Sequence, residues 1–209
     1  MLFIHFRHAC TNFITNIIFI IFMTKKIKIF LPVPAYDELM LQYKGKEQDL
    51  RKVVFGLVLP MIKSSKMSKL NQSVSARIVV DGKTVLEKFE FKLIDFKKFK
   101  IESSDSWIPE EMKDEPYKVY ELSISERAYE ELEFFSQLMM IRMDCYNQSL
   151  DKESPDYEKQ VAKLPVCVEQ VIQDGVMQQL IDMVTKNIEN DFNQEFDKMN
   201  VAPKIKGTR

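Results

Sequence analysis

Beyond residue 22 the chain contains no histidine; His5 and His8 are the only two. Histidine titrates nearest neutrality and is the commonest metal ligand. Its absence removes Ser-His-Asp and Cys-His arrangements and a histidine-held zinc from the body of the protein. Glycine is scarce as well. Gly45, Gly56, Gly82, Gly175 and Gly207 are too scattered for a phosphate-cradling loop or a dinucleotide fingerprint. Cys10, Cys145 and Cys167 show no CxxC spacing, and three is an odd number for a disulfide framework. They read as reduced thiols of an intracellular protein, and Asp144 beside Cys145 discourages a thiolate. Arginine is also rare: six residues against 24 lysines. The net charge of −1 provides no global field to draw nucleic acid or anionic membrane.

What the chain does have is a globular composition, 45% hydrophobic and 29% charged, with 15 Phe and 12 Met. The excess of Lys, Phe, Ile, Asn and Met over Ala, Gly, Arg and Pro follows codon bias in an AT-rich genome. A T-even-like phage, a low-GC bacterium, a large DNA virus or a protist fits that bias.

Residues 1–22 form an apolar N-terminal extension with Arg7 and no acidic residue. The clean apolar run, 17–23, is far shorter than the roughly 20 residues a membrane anchor needs. No small-x-small cleavage site follows it. The reading preferred here is that translation begins at Met23, so that the extension is not translated or not folded. The alternative makes it an anchor, with Lys25, Lys26 and Lys28 as flanking positive charges.

Residues 23–122 read as a mixed α/β part. Residues 26–31 alternate as a strand stopped by Pro32 and Pro34, and 36–43 can form a helical turn. Over 47–63, Leu50, Val53, Val54, Leu57, Val58 and Met61 have helical spacing, with Pro60 expected to kink or end the helix. A polar linker is expected over 64–73. A β-hairpin over 73–94 follows, turning at Asp81-Gly82, which sets Ile78 opposite Val85 and Val74 opposite Phe89. Residues 117–124 are expected to return as a third strand.

Residues 123–199 form the helical part. Ser123 and Glu126 have capping-box spacing. Ala128, Leu132, Phe135, Met139, Met143 and Tyr146 then trace one stripe. Ser154-Pro155 has the residues of a further helix start. From Val168, apolar residues recur every four positions to Phe196, a ladder that Gly175 can split in two. Residues 200–209 read as a basic tail. The expected fold is α+β: a small antiparallel hairpin or three-stranded sheet packed with long C-terminal helices.

No catalytic, cofactor-binding or metal-binding residues emerge. Glu110, Glu111, Asp114 and Glu115 crowd one loop without calcium-loop spacing. Lys97, Lys98 and Lys100 interleave with Phe96, Phe99 and Ile101, a pattern that serves single-stranded nucleic acid in some proteins. A lysine-defended strand edge is the simpler expectation there. The balance of features points to a non-enzymatic assembly or adaptor protein acting through protein–protein contacts or self-association, of the kind that serves virion assembly in a phage or virus. Flexible methionines at 139, 140, 143, 177 and 183 suit adaptable contacts. The partner-binding candidates are Phe192, Phe196, Met199, Met139 and Met143. A membrane-anchored helical domain is the alternative, a weak single-stranded nucleic-acid binder the third. The expected location is cytoplasmic (host cytoplasm if viral), or membrane if residues 1–22 are an anchor.

Overall fold

The computed structural model describes residues 24–42, 47–110 and 116–200, with side chains for all of these except 42–49 and 187–200. Residues 1–22 and the basic tail beyond residue 200 lie outside the described residues, as do Glu111, Asp114 and Glu115. The architecture is α+β. Two small antiparallel two-stranded sheets pack against long helices.

Strand β1 (Thr24–Pro32) enters at once into helix α1 (Val33–Gln42). Pro34 is tolerated there because the first helical turn has no intrahelical acceptor for its missing N–H. Helix α2 (Glu47–Asn71) runs through Pro60 and through the stretch expected as a linker. Pro60 and Gly56, whose carbonyl loses its donor, both face solvent, where water satisfies that oxygen. The second half of α2 is held by packing rather than by propensity. Ser65 is fully buried and donates a 2.5 Å hydrogen bond to Glu131, and Lys69 pairs with the same carboxylate at 2.9 Å.

Strands β2 (Ser73–Val80) and β3 (Lys83–Glu90) form the hairpin, with Ile78 opposite Val85 and Val74 opposite Phe89. Asp81 (φ 49°) and Gly82 (φ 72°) are both left-handed, as a type I′ turn requires. The second strand ends at Glu90, earlier than 94. Phe91 and Phe96 turn onto Phe134, with ring centroids 5.1–5.9 Å apart, and the chain tightens into two short 3₁₀ turns. Phe96–Phe99 is therefore a turn, not a strand edge.

Strand β4 (Tyr117–Ser125) does not join the hairpin as a third strand. It pairs with β1 along all nine residues, Ile29 opposite Tyr120. The open side of β2 is already occupied. Val79 donates its N–H to Ser149 Oγ (2.8 Å), and Arg142 donates to the Ser75 carbonyl (3.2 Å).

Helix α3 (Glu126–Ser149) is capped by Ser125 rather than Ser123, which is still paired in the strand. Ser125 Oγ accepts the Ala128 N–H at 3.2 Å. After Ser154-Pro155 only one short helix forms, α4 (Tyr157–Gln160). Helix α5 (Val168–Asn200) is continuous through Gly175. A Cβ at Gly175 would lie 2.5 Å from Met61 Sδ, so the glycine leaves room for the Met61 thioether between α2 and α5.

The main core lies between sheet β1–β4 and helices α2, α3 and α5. Ile29, Leu31, Leu50, Val54, Leu132 and Ile172 are among its fully enclosed residues. A smaller cluster under the hairpin gathers Val74, Leu138 and Ile141 with the surrounding phenylalanines. No helix among the described residues is long and apolar enough to cross a membrane.

Candidate docking clefts

Two clefts flank the methionine stripe of α3. The first, about 440 Å³, lies between α2, α3 and α5 and is walled by Met61, Phe135, Met139, Met143, Pro165 and Val171. Gly175 and Met61 form its floor, so the glycine that leaves room for the Met61 thioether also shapes the cavity. The second, about 490 Å³, lies between α3 and the outer face of the hairpin, where Arg77, Thr84 and Leu86 oppose Arg142 and Tyr146. Met139 and Met143 line both clefts and form the ridge between them. Both are half-buried, and Met139 also packs against the main core. One rim is held by Asn147, whose side-chain amide exchanges two 2.8 Å hydrogen bonds with the Ala162 backbone. Unbranched thioethers at such a ridge repack at little cost when a partner surface changes.

The remaining candidates separate. Phe192, Phe196 and Met199 fall on the helical backbone of α5, with their side chains outside the described residues. Among the described residues Leu180 is the last buried position of the ladder. The following apolar residues, Ile181 (55% exposed) and Val184 (47%), are uncovered, while Met183 is partly buried. The four-residue spacing explains this, since it advances 40° per step around a helix of 3.6 residues per turn and carries the stripe off the core.

A polar group that the sequence reading missed lies on the other side of α5. Glu169 is buried and accepts from Ser103 Oγ (2.6 Å), the Ser104 N–H (2.6 Å) and the Tyr129 hydroxyl (3.0 Å). Tyr129 also bonds Ser103 at 2.7 Å and carries the Lys25 ammonium over its ring at 3.7 Å. Burial opposes the charge on Glu169, but these donors outweigh it and hold the carboxyl below its usual range. Burial pushes the Tyr129 hydroxyl well above its ordinary value, so it stays a donor. One turn on, buried Gln173 accepts the Phe30 N–H (2.9 Å) and donates to the Phe30 carbonyl (2.8 Å). Both residues read as the polar face of a helix because their burial depends on where β1 and loop 102–107 dock. Their position four apart, beside Val168 and Ile172, was the one available signal.

Nothing in this network presents a reactive group. Every Glu169 oxygen is engaged, and no buried side-chain polar atom among the described residues lacks a partner. Burial, and next the Asp144 carboxylate, push the Cys145 thiol up; burial does the same to Cys167. Among the described residues no three metal-ligating side chains come together. Phe96 and Phe99 are turned into the aromatic cluster beneath the hairpin, leaving Lys97 and Lys98 exposed without a stacking platform. Comparison with protein-family models, with curated proteins and with solved structures finds no match to this chain.

Proposed function

We propose that this chain is a non-enzymatic assembly or adaptor protein that works by docking a protein partner on its helical part. The observation that carries the reading is the path of α5. Among the described side chains the ladder is buried as far as Leu180 and Met183 still packs against the core, yet the helical backbone runs on to Asn200, about 30 Å beyond Leu180 at 1.5 Å per residue. Ile181 and Val184 are exposed, and the sequence places Ile188, Phe192, Phe196 and Met199 further along the same helix. Exposed apolar residues on a long helix suit the docking of a protein partner. The methionine ridge at Met139 and Met143 offers a second, adaptable contact. The AT-biased composition makes a phage or viral assembly factor, acting in the host cytoplasm, the setting we favour.

The test is recovery of the native complex with and without Ile181→Ser/Val184→Ser. The double variant is expected to keep its thermal stability and lose its partner. A chain that is strictly monomeric, with no specific partner at native concentration, contradicts the proposal.

A further inference from the structure

The two sheets have four outer edges, and the chain treats them unequally. At β1 the outward N–H and C=O of Phe30 are both taken by the Gln173 amide. At β2 the outward groups of Ser75 and Val79 are taken by Arg142 and Ser149. Strand β3 has no equivalent. In this hairpin register Lys83, Val85, Glu87 and Phe89 exchange bonds with β2, so Thr84, Leu86 and Lys88 turn their backbone groups outward. Among the described residues none bonds to those groups. Seven of the eight residues of β3 are exposed, Leu86 by 72%. The strand has no proline or bulge to blunt it.

We infer that β3 is a self-pairing edge on which a second copy of this chain adds its own β3, antiparallel, to build a four-stranded sheet. The charge pattern and the number of hydrogen bonds together select the register. With Leu86 opposite Leu86 of the second copy, Thr84 faces Lys88, Val85 faces Glu87, and Lys83 lies diagonal to Glu87. No like charges oppose one another, and six backbone hydrogen bonds close around the twofold axis. A shift of two residues one way sets Glu87 against Glu87, and the same shift again sets Lys88 against Lys88. A shift the other way sets Lys83 against Glu87 but leaves only Thr84 and Leu86 to pair within the strands, with four hydrogen bonds in place of six. The outward set of β4 has Glu121 at its centre, so self-pairing there opposes two carboxylates, and Glu121 is already paired with Lys26 at 2.9 Å. Such an interface is isologous and small, hence dissociable. Thr84 and Leu86 also line the second cleft, but the inference does not involve Ile181 or Val184, which test the helical docking proposed above.

Sedimentation of the full chain over a concentration series tests the inference, with Leu86→Pro and Leu86→Lys beside the wild type. Proline at position 86 removes an outward N–H and none inside the hairpin; lysine keeps the N–H but sets two ammonium groups on the axis. The wild type is expected to pass from monomer to dimer with concentration. Both variants are expected to stay monomeric over that range with unchanged far-ultraviolet circular dichroism. A wild type that stays monomeric to millimolar concentration overturns the inference, as does a dimer that persists in either folded variant. Should Leu86→Pro fail to fold, Leu86→Lys alone decides.

Discussion

Sheet β1–β4 and hairpin β2–β3 are both antiparallel pairs of eight or nine residues, yet they are stabilised in different ways. The first buries Ile27, Ile29, Leu31, Leu122 and Ile124 under three helices, and Gln173 completes its edge from α5. The second buries only the start of β2, at Ser73, Val74 and Ala76, and depends on a tight turn and on side chains of α3. A two-stranded sheet is marginal by itself. The difference shows two remedies: enclosure within the core for one sheet, and local turn geometry plus a single supporting helix for the other. Enclosure buries one face of the first sheet, whereas the local remedy leaves nearly the whole of β3 in solvent.

Substitutions can break this contrast. Ile29→Ala is expected to cost about 2–5 kcal/mol, since its site is enclosed on all sides. Val85→Ala, in the exposed strand, is expected to cost about 0.5 kcal/mol or less. Equal losses in chemical denaturation would erase the distinction. Next comes Gln173→Leu, which leaves the Phe30 N–H and carbonyl unpaired beneath α5, at roughly 1–3 kcal/mol for each stranded group. Gly175→Ala is expected to move only the flexible Met61 thioether, which has the first cleft to swing into, and to change stability by about 1 kcal/mol or less. A loss as large as that of Ile29→Ala would mean that the α2–α5 contact is rigid at this point.

These positions also show what could be read from sequence. The turn and register of the hairpin were legible because Asp81-Gly82 and strict alternation are local signals, whereas the end of its second strand was not, since Phe91 and Phe96 turn onto Phe134. The α+β class followed from the change of period after Ser123, two residues before the observed cap at Ser125. The pairing of β4 was not legible. Strand β4 pairs with β1, far earlier in the chain, Ile29 opposite Tyr120, and no local signal specifies so distant a partner. The helical state of residues 64–71 was hidden for a similar reason. Serines and lysines favour a linker until Glu131 engages Ser65 and Lys69. Of the candidate site, the methionine stripe was visible as spacing on α3, but its position between two clefts arises from tertiary packing alone.

The smallest expected effect sharpens the contrast through pH. The folded-state pKa of Glu169 is depressed, so its contribution is full above the ordinary carboxylate value of 4.5 and declines as pH falls through the lower folded value. Thermal melts below about pH 4.5 should therefore show a steeper acid loss in wild type than in Glu169→Gln. Parallel curves would remove Glu169 from the set of charged supports for the core.

The most direct measurement of the central difference is amide hydrogen exchange resolved to single residues at low and high protein concentration. Ile27, Ile29 and Leu31 should exchange only through global unfolding at any concentration. The amides of Thr84, Leu86 and Lys88 should exchange rapidly in dilute solution and become protected as the concentration rises. Slow exchange of those three amides in dilute solution, or exchange in β1 as fast as in β3, would contradict that difference.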